Sequence, residues 1–187
     1  NTSLKIGTGL AKIGTNNVST TFSGQLLGSG TLTKAGSGAF TLLGNSSAYT
    51  GVLEAFEGTL VLTNTTVVGN GTKLLNITGN ASTLELQNIS SLSNPIYWAS
   101  NGTLLLSSGN TTLTGNLTSG NSIQPRINIT AGSTLNITGN MSMGSSAMMN
   151  KDGGGTLLFS ETATTSNQSL QGLNLTAGMM ELNSSKV

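Results

Sequence analysis

The sequence predicts an all-β fold, a parallel β-helix or β-solenoid that winds the 187 residues into stacked coils. Three observations predict it. A short motif recurs about once per coil, each recurrence opens a brief alternating segment, and clusters of Gly, Asn and Ser separate these segments. Because the recurrence runs through the whole chain, residues 1–187 are expected to form a single domain with one continuous core.

A small residue followed by Thr-Leu sets the predicted coil length. Most intervals between successive motifs match a coil of about 20–25 residues, so we expect roughly seven to nine coils. The interval from Thr103 to Thr134 is the longest and predicts a longer loop or an extra short strand pair. Such a loop would be a candidate recognition element. The motif occurs at Thr31-Leu32, Thr59-Leu60, Thr83-Leu84, Thr103-Leu104, Thr134-Leu135 and Thr156-Leu157, and a variant at Gly178-Met179-Met180.

The segments after each motif alternate between apolar and polar residues, which is typical of half-buried strands. Residues 59–62 and 135–137 are examples, and Gly69-Asn70-Gly71 is a typical turn between such strands. A β-sandwich with about eight to twelve residues between turns is the alternative fold. The residues expected to point inward are Leu32, Phe40, Leu42, Leu60, Leu62, Leu84, Leu86, Leu104, Leu106, Leu135, Ile137, Leu157 and Leu175.

The composition excludes several classes of protein. Charged residues are 7% of the chain, against about 25% in a typical soluble protein, while Ser, Thr, Asn and Gly number 25, 29, 21 and 26. No Cys is present, so no disulfide framework holds the fold together. A net charge of +1 gives no electrostatic reason to expect nucleic-acid binding. No apolar run approaches the length that a membrane helix needs, so no membrane span is expected in this chain.

Residues 28–62 contain an ordered set of motifs: Gly-Thr-Leu-Thr-Lys at 30–34, Tyr-Thr-Gly at 49–51 and a closing Gly-Thr-Leu strand at 58–62. This segment resembles the autotransporter-associated β-strand repeat of bacterial passenger domains. A degenerate second copy spans 151–182, with Gly-Gly-Gly-Thr-Leu at 153–157 but no Tyr-Thr-Gly step. The resemblance implies a right-handed parallel β-helix at the cell surface that serves in adhesion, aggregation or display.

The ionisable residues do not suggest catalysis. The acidic residues are scattered, and there is no His to activate the many Ser and Thr hydroxyls. We therefore expect no catalytic residue, no cofactor site, no metal site and no enzymatic activity. A polysaccharide-cleaving β-helix is a weak alternative because such enzymes need clustered carboxylates. The acids are Glu54, Glu57, Glu85, Asp152, Glu161 and Glu181.

The segment Pro95-Ile96-Tyr97-Trp98 is the densest aromatic feature and includes the single Trp. Tyr97 and Trp98 could form an exposed contact site, since such residues anchor interfaces. The favoured interpretation is a core plug or a bent edge where Pro interrupts strand pairing. The six Met residues, all between 141 and 180, are expected to fill gaps in the core.

The pattern Asn-X-Ser/Thr occurs at 17 of the 21 Asn residues, where composition alone would give about six. Asn-Ile-Thr at 76, 128 and 136 lies in strand patterns, so inward Asn ladders between coils could account for part of the excess. The turn-like sites instead predict N-glycosylation, and glycans would supply the hydration that charge does not. The candidates are Asn45, Asn64, Asn70, Asn80, Asn88, Asn101, Asn110, Asn116, Asn167 and Asn183.

These observations predict a non-enzymatic structural or adhesive element, extracellular or on the cell surface. Its expected partners are neighbouring coils of a longer passenger, and a host or neighbouring cell surface. The alternative is an extracellular filament in which copies stack head to tail. Neither end of the sequence has an evident cap, and uncapped coil ends favour such stacking.

Overall fold

The computed structural model describes residues 2–68, 71, 73–160 and 172–183, and it confirms the predicted fold. The chain forms a parallel β-solenoid of about 8 turns, with 53% of residues in strands and 2% in helix. Paired strands are parallel and lie one coil apart in the sequence, as the pairs Ala39 with Thr59 and Gly58 with Ser82 show. The sandwich alternative is wrong, because sandwich sheets are built from antiparallel strands.

The strands stack into three faces of the solenoid. Face 1 contains β2 (Leu10–Ile13), β5 (Thr31–Lys34), β7 (Val52–Ala55), β9 (Leu75–Ile77), β12 (Ile96–Trp98), β15 (Leu117–Ser119) and β18 (Met141–Ser142). Face 2 contains β3 (Thr20–Phe22), β6 (Ala39–Leu42), β8 (Gly58–Leu62), β10 (Ser82–Gln87), β13 (Thr103–Ser108), β16 (Arg126–Ile129), β19 (Met148–Asp152) and β21 (Gly172–Leu175). Face 3 contains β1 (Ser3–Ile6) and β4 (Gln25–Gly28) and, in a separate sheet, β11 (Ser91–Leu92), β14 (Asn110–Leu113), β17 (Thr134–Ile137), β20 (Thr156–Ser160) and β22 (Met179–Asn183).

Face 3 is divided into two sheets at the coil that contains the short helix α1 (Thr65–Val68). Before α1, Gly28 and Tyr49 form an isolated parallel bridge that extends the sheet of β1 and β4. At α1 itself, Ser46 N donates to Thr66 O at 2.9 Å in place of a strand pairing. Faces 1 and 2 continue through this level, because β7 pairs with β9 and β8 with β10.

The core is formed by the inward side chains of all three faces, as the alternation predicts. Twelve of the thirteen residues expected to point inward are buried. The exception is Leu175, which is 47% exposed. Leu175 is paired with the buried Lys151 of the preceding coil, so it occupies an inward position. It belongs to the last coil among the described residues, and no further described coil covers it.

The uneven spacing of the Thr-Leu motif has a structural explanation. Thr31 lies on face 1, the motifs from Thr59 to Thr103 lie on face 2, and those from Thr134 onward lie on face 3. The two longest intervals are those at which the motif moves to the next face, so each equals one coil plus one further side. The interval before Thr134 is therefore filled by strands, including β14, β15 and β16, and the expected recognition loop is wrong.

The aromatic segment at 96–98 forms β12 in the core of face 1. Trp98 is fully buried. In the strand register it is paired with Ile77 of the preceding coil and Ser119 of the following coil, and the small Ser119 leaves room for the large ring. The contact-site interpretation is wrong for Trp98, whereas Tyr97 faces outward and is half-buried. Met141, Met143 and Met149 fill the core as predicted. The prediction is wrong for Met148 and Met179, which face outward in their strands and are exposed.

Candidate functional site at the coil corners

The corners between faces carry Asn residues whose side chains bond to the following coil. Asn80 Oδ1 accepts from Asn101 N at 3.1 Å, and Asn101 Oδ1 accepts from Gln124 N at 2.7 Å. Asn110 Oδ1 accepts from Thr134 N at 3.0 Å. These bonds use Oδ1, whereas an N-linked glycan is attached through Nδ2. The same side chain can therefore tie two coils together and carry a sugar.

Most of the predicted glycosylation sites lie on the surface. Asn64 differs, because it is half-buried and caps α1: its Oδ1 accepts from Val67 N at 3.1 Å, and its Nδ2 donates to Leu43 O at 3.2 Å. Asn70 and Asn167 lie outside the described residues. The exposed candidates are Asn45, Asn80, Asn88, Asn101, Asn110, Asn116 and Asn183.

The Asn-Ile-Thr segments have a structural origin, but the proposed inward ladder is wrong. Asn76, Asn128 and Asn136 face outward, because the neighbouring Ile and Leu side chains in their strands take the inward positions. The Thr of each segment forms the corner. For example, Thr138 N donates to Leu113 O of the preceding coil at 2.9 Å, and Thr138 Oγ1 donates to the same oxygen at 3.2 Å. The fold therefore uses the Thr at this position whether or not the Asn carries a glycan.

Two corners contain buried lysines that sequence analysis did not identify. Lys34 Nζ donates to Ala35 O at 2.9 Å and Gly36 O at 2.7 Å, within its own turn, and to Glu57 O at 3.1 Å in the next coil. Burial lowers the pKa of Lys34, and the nearby Glu57 carboxylate partly offsets this. An ammonium group inside the solenoid is thus held by backbone carbonyls.

Lys151 has the same surroundings at a different edge. Its Nζ donates to Asp152 O at 2.7 Å, Gly153 O at 2.8 Å and Ala177 O of the next coil at 3.1 Å. Burial lowers its pKa, with Asp152 acting in the opposite direction. The sequence carried a signal for both sites, since each begins Lys-X-Gly-X-Gly.

A third buried lysine, Lys73, lies where face 3 is interrupted. Its Nζ donates to Ser46 O at 2.6 Å and lies 5.6 Å from the centre of the Tyr49 ring. Burial lowers the pKa of Lys73 to about 8. Asn94 Nδ2 completes the network by donating to Lys73 O at 3.0 Å and Val68 O at 3.2 Å. Polar side chains thus replace the missing strand pairing beside α1.

The Tyr-Thr-Gly step at 49–51 closes a corner between faces 3 and 1. The buried Tyr49 hydroxyl donates to Gly30 O at 2.6 Å and also lies 2.9 Å from Val52 O. A Cβ at Gly51 would overlap Gly30 O and come within 2.7 Å of the Tyr49 ring and hydroxyl. Glycine is therefore required where the ring folds over the backbone.

The carboxylates occupy separate positions on the surface and at corners. Glu54 bridges three coils, since it accepts from Thr33 Oγ1 at 3.1 Å and from Thr78 Oγ1 at 2.7 Å. Asp152 pairs with Arg126 Nε at 2.8 Å. In the part of the chain that the structure describes, which excludes Glu161, no three His, Cys, Asp or Glu residues come together as a metal site would require.

An open groove of about 490 Å³ lies at the first coils. Its apolar lining comes from the inward residues Ile13, Phe22 and Phe40, and its rim includes Lys12 and Asn16. The groove is thus the uncovered end of the core and not a cleft between elements.

Comparison with known proteins gave no relative: no family model, no curated protein and no solved structure matches the chain. Within the described ranges, no helix has the length and apolar character needed to cross a membrane.

Proposed function

We propose that the chain is a non-catalytic, N-glycosylated stalk or adhesive element of an extracellular surface. The observation that carries this proposal is the placement of exposed sequon Asn residues at successive corners of one continuous solenoid. Asn80, Asn101 and Asn110 each use Oδ1 for coil stacking, and Nδ2 is the atom that accepts a glycan. With only 7% charged residues, such a surface gains hydration from glycans.

The resemblance of residues 28–62 to passenger-domain repeats supports the same proposal, because those repeats serve in adhesion and display. Parallel strand pairing on three faces gives a rod whose length grows with each coil. A rod that carries glycans along its edges suits a stalk that holds a binding surface away from the cell.

Glycosylation is tested by secreting the chain from a eukaryotic host and measuring its intact mass and glycopeptides. We expect occupancy at exposed corners such as Asn45, Asn101 and Asn110. Asn64 serves as the internal control, since its Nδ2 is engaged by Leu43 O and should carry less glycan. The mass of the bare polypeptide from this host would contradict the proposal, as would polysaccharide cleavage that is lost in Glu54→Gln.

The alternative function is a filament in which the last coil of one copy stacks on the first coil of another. It is favoured by the apolar surface at both ends of the described core: Leu175 is 47% and Leu182 72% exposed in inward columns, and the groove lined by Phe22 and Phe40 opens at the other end. Stacking of this kind is heterologous and does not close, so it produces fibres.

Sedimentation over a range of concentrations, with electron microscopy, distinguishes the two functions. The filament predicts growth with concentration and its loss in Leu182→Asp, whereas an outward change outside every sequon, such as Thr83→Asp, should leave growth intact. A monodisperse monomer at high concentration would rule out the filament and leave the stalk.

A further inference from the structure

Lys34 and Lys151 occupy the same local structure, although their sequences share little beyond Lys-X-Gly-X-Gly. In both, the first Gly has a positive φ, 78° at Gly36 and 75° at Gly153. In both, a Gly of the next coil faces the turn. A Cβ at Gly58 would overlap the carbonyl oxygens of Gly36 and Gly38, and a Cβ at Gly178 would overlap those of Gly153 and Gly155.

The two sites lie at different edges of the solenoid. Lys34 ends β5 on face 1, and its turn leads to β6 on face 2. Lys151 lies in β19 on face 2, and its turn leads to β20 on face 3. The same arrangement forms at both edges, so it is produced by the local sequence and not by a particular edge.

We propose that each corner is a carbonyl-lined cation-binding site that the chain fills with its own primary ammonium group. The ligand class is a primary alkylammonium, because the three N–H donors of a lysine match the three carbonyl acceptors found at each site. Two acceptors belong to the turn and one to the next coil, so the bound ammonium locks consecutive coils together. Without it, carbonyl oxygens that are buried at the Lys34 corner and partly buried at the Lys151 corner lose their donor, which is costly.

The chain contains two natural comparisons. Lys5 also begins a Lys-X-Gly-X-Gly segment, and Gly30 of the next coil faces its turn, since a Cβ at Gly30 would overlap Gly7 O and Gly9 O. The Lys5 side chain is nevertheless exposed, because Ile6 takes the buried inward position of β1, and Gly7 does not have the positive φ of Gly36 and Gly153. Lys73 is buried but, among the residues that the structure describes, its Nζ donates to one carbonyl oxygen, Ser46 O. Burial alone, sequence spacing alone and a facing glycine alone therefore do not produce the site, which needs a lysine at an inward position before a turn whose first Gly has a positive φ.

The first test compares Lys34→Met and Lys151→Met with Lys5→Met by hydrogen exchange. The probes are two backbone amides that donate to the lysines' own backbone carbonyl oxygens. Phe56 N donates to Lys34 O, and Thr176 N donates to Lys151 O. We expect each Met variant to lose about tenfold or more of the protection at its own corner, since even one unsatisfied buried carbonyl costs about 1–3 kcal/mol. Lys5→Met should change neither corner.

The second test restores the ligand from solution. Lys34→Ala and Lys151→Ala each remove the atoms of an n-propylammonium ion. Adding n-propylammonium to these variants should therefore restore protection, or the yield of folded protein, in a saturable manner. Tetramethylammonium, which has the charge but no N–H donor, is the matched control and should not. Full protection in both Met variants, or equal rescue by the two ions, would overturn the proposal.

Discussion

At the scale of single residues, the main feature is that three of the six Lys and Arg residues that the structure describes are buried, in a chain with few charges. Sequence analysis singled out none of them, because burial of a lysine is rare unless it finds partners. Here backbone carbonyls are those partners. Outward and inward positions were predictable from alternation, but Lys34 and Lys151 lie at inward positions that alternation reserves for apolar residues.

We predict that the stability of the protein rises between pH 8 and about pH 10. The pKa of Lys73 is lowered to about 8 from 10.5, so over this range the unfolded chain binds a proton that the folded chain does not, and raising the pH favours folding. Above pH 10 Tyr49 opposes the trend, because burial raises its pKa to about 12.

Urea unfolding midpoints measured from pH 7 to pH 10 test this expectation. Lys73→Met should flatten the rise, while Lys12→Met, which changes an exposed lysine, should leave it unchanged. A rise of the same size in Lys73→Met would show that Lys73 does not cause it.

At the scale of elements, the strands were predictable and the corners were not. Period-two alternation placed the strands because it reports burial directly. The corners depend on close backbone approach, and the same sequence motif adopts different structures. Lys5 and Lys34 share Lys-X-Gly-X-Gly, but only the side chain of Lys34 enters the core. The motif spacing predicted the coil length. It did not show that the motif moves to the next face before Thr59 and again before Thr134, which only the strand pairing reveals.

The corner at Tyr-Thr-Gly yields a prediction about glycine. Gly51→Ala should destabilise the protein by about 1–3 kcal/mol, as overpacking of a filled site does, because the new methyl group overlaps Gly30 O. Gly7→Ala is the matched control, since its Cβ would meet nothing within 4 Å. Unfolding free energies compare the two, and similar values for both variants would contradict this account of the motif.

At the scale of the whole molecule, the β-solenoid and its coil number followed from the repeat, because each coil packs mainly on its neighbours and repeats their pattern. What a coil contributes to stability then depends on its place in the stack. Leu175 and Leu182 follow the inward pattern as faithfully as Ile137, but only Ile137 has a described coil on both sides.

We therefore predict unequal costs within one column. Ile137→Ala should destabilise the fold by about 2–5 kcal/mol, whereas Leu182→Ala, at a residue that is 72% exposed, should cost less than about 1 kcal/mol. Chemical unfolding of the monomer measures both. A large cost at Leu182 would mean that its side chain is covered in solution.

The division of face 3 at α1 has a mechanical consequence. A rod pulled along its axis bears the load through the hydrogen bonds between its coils. Three ladders share that load between the first two coils and again from β11, β12 and β13 to β17, β18 and β19. Around α1 two complete ladders, such as β7 with β9 and β8 with β10, act beside the side-chain network of Ser46, Lys73 and Asn94. Tension would be concentrated on this coil, which makes it the level at which a stretched molecule first yields.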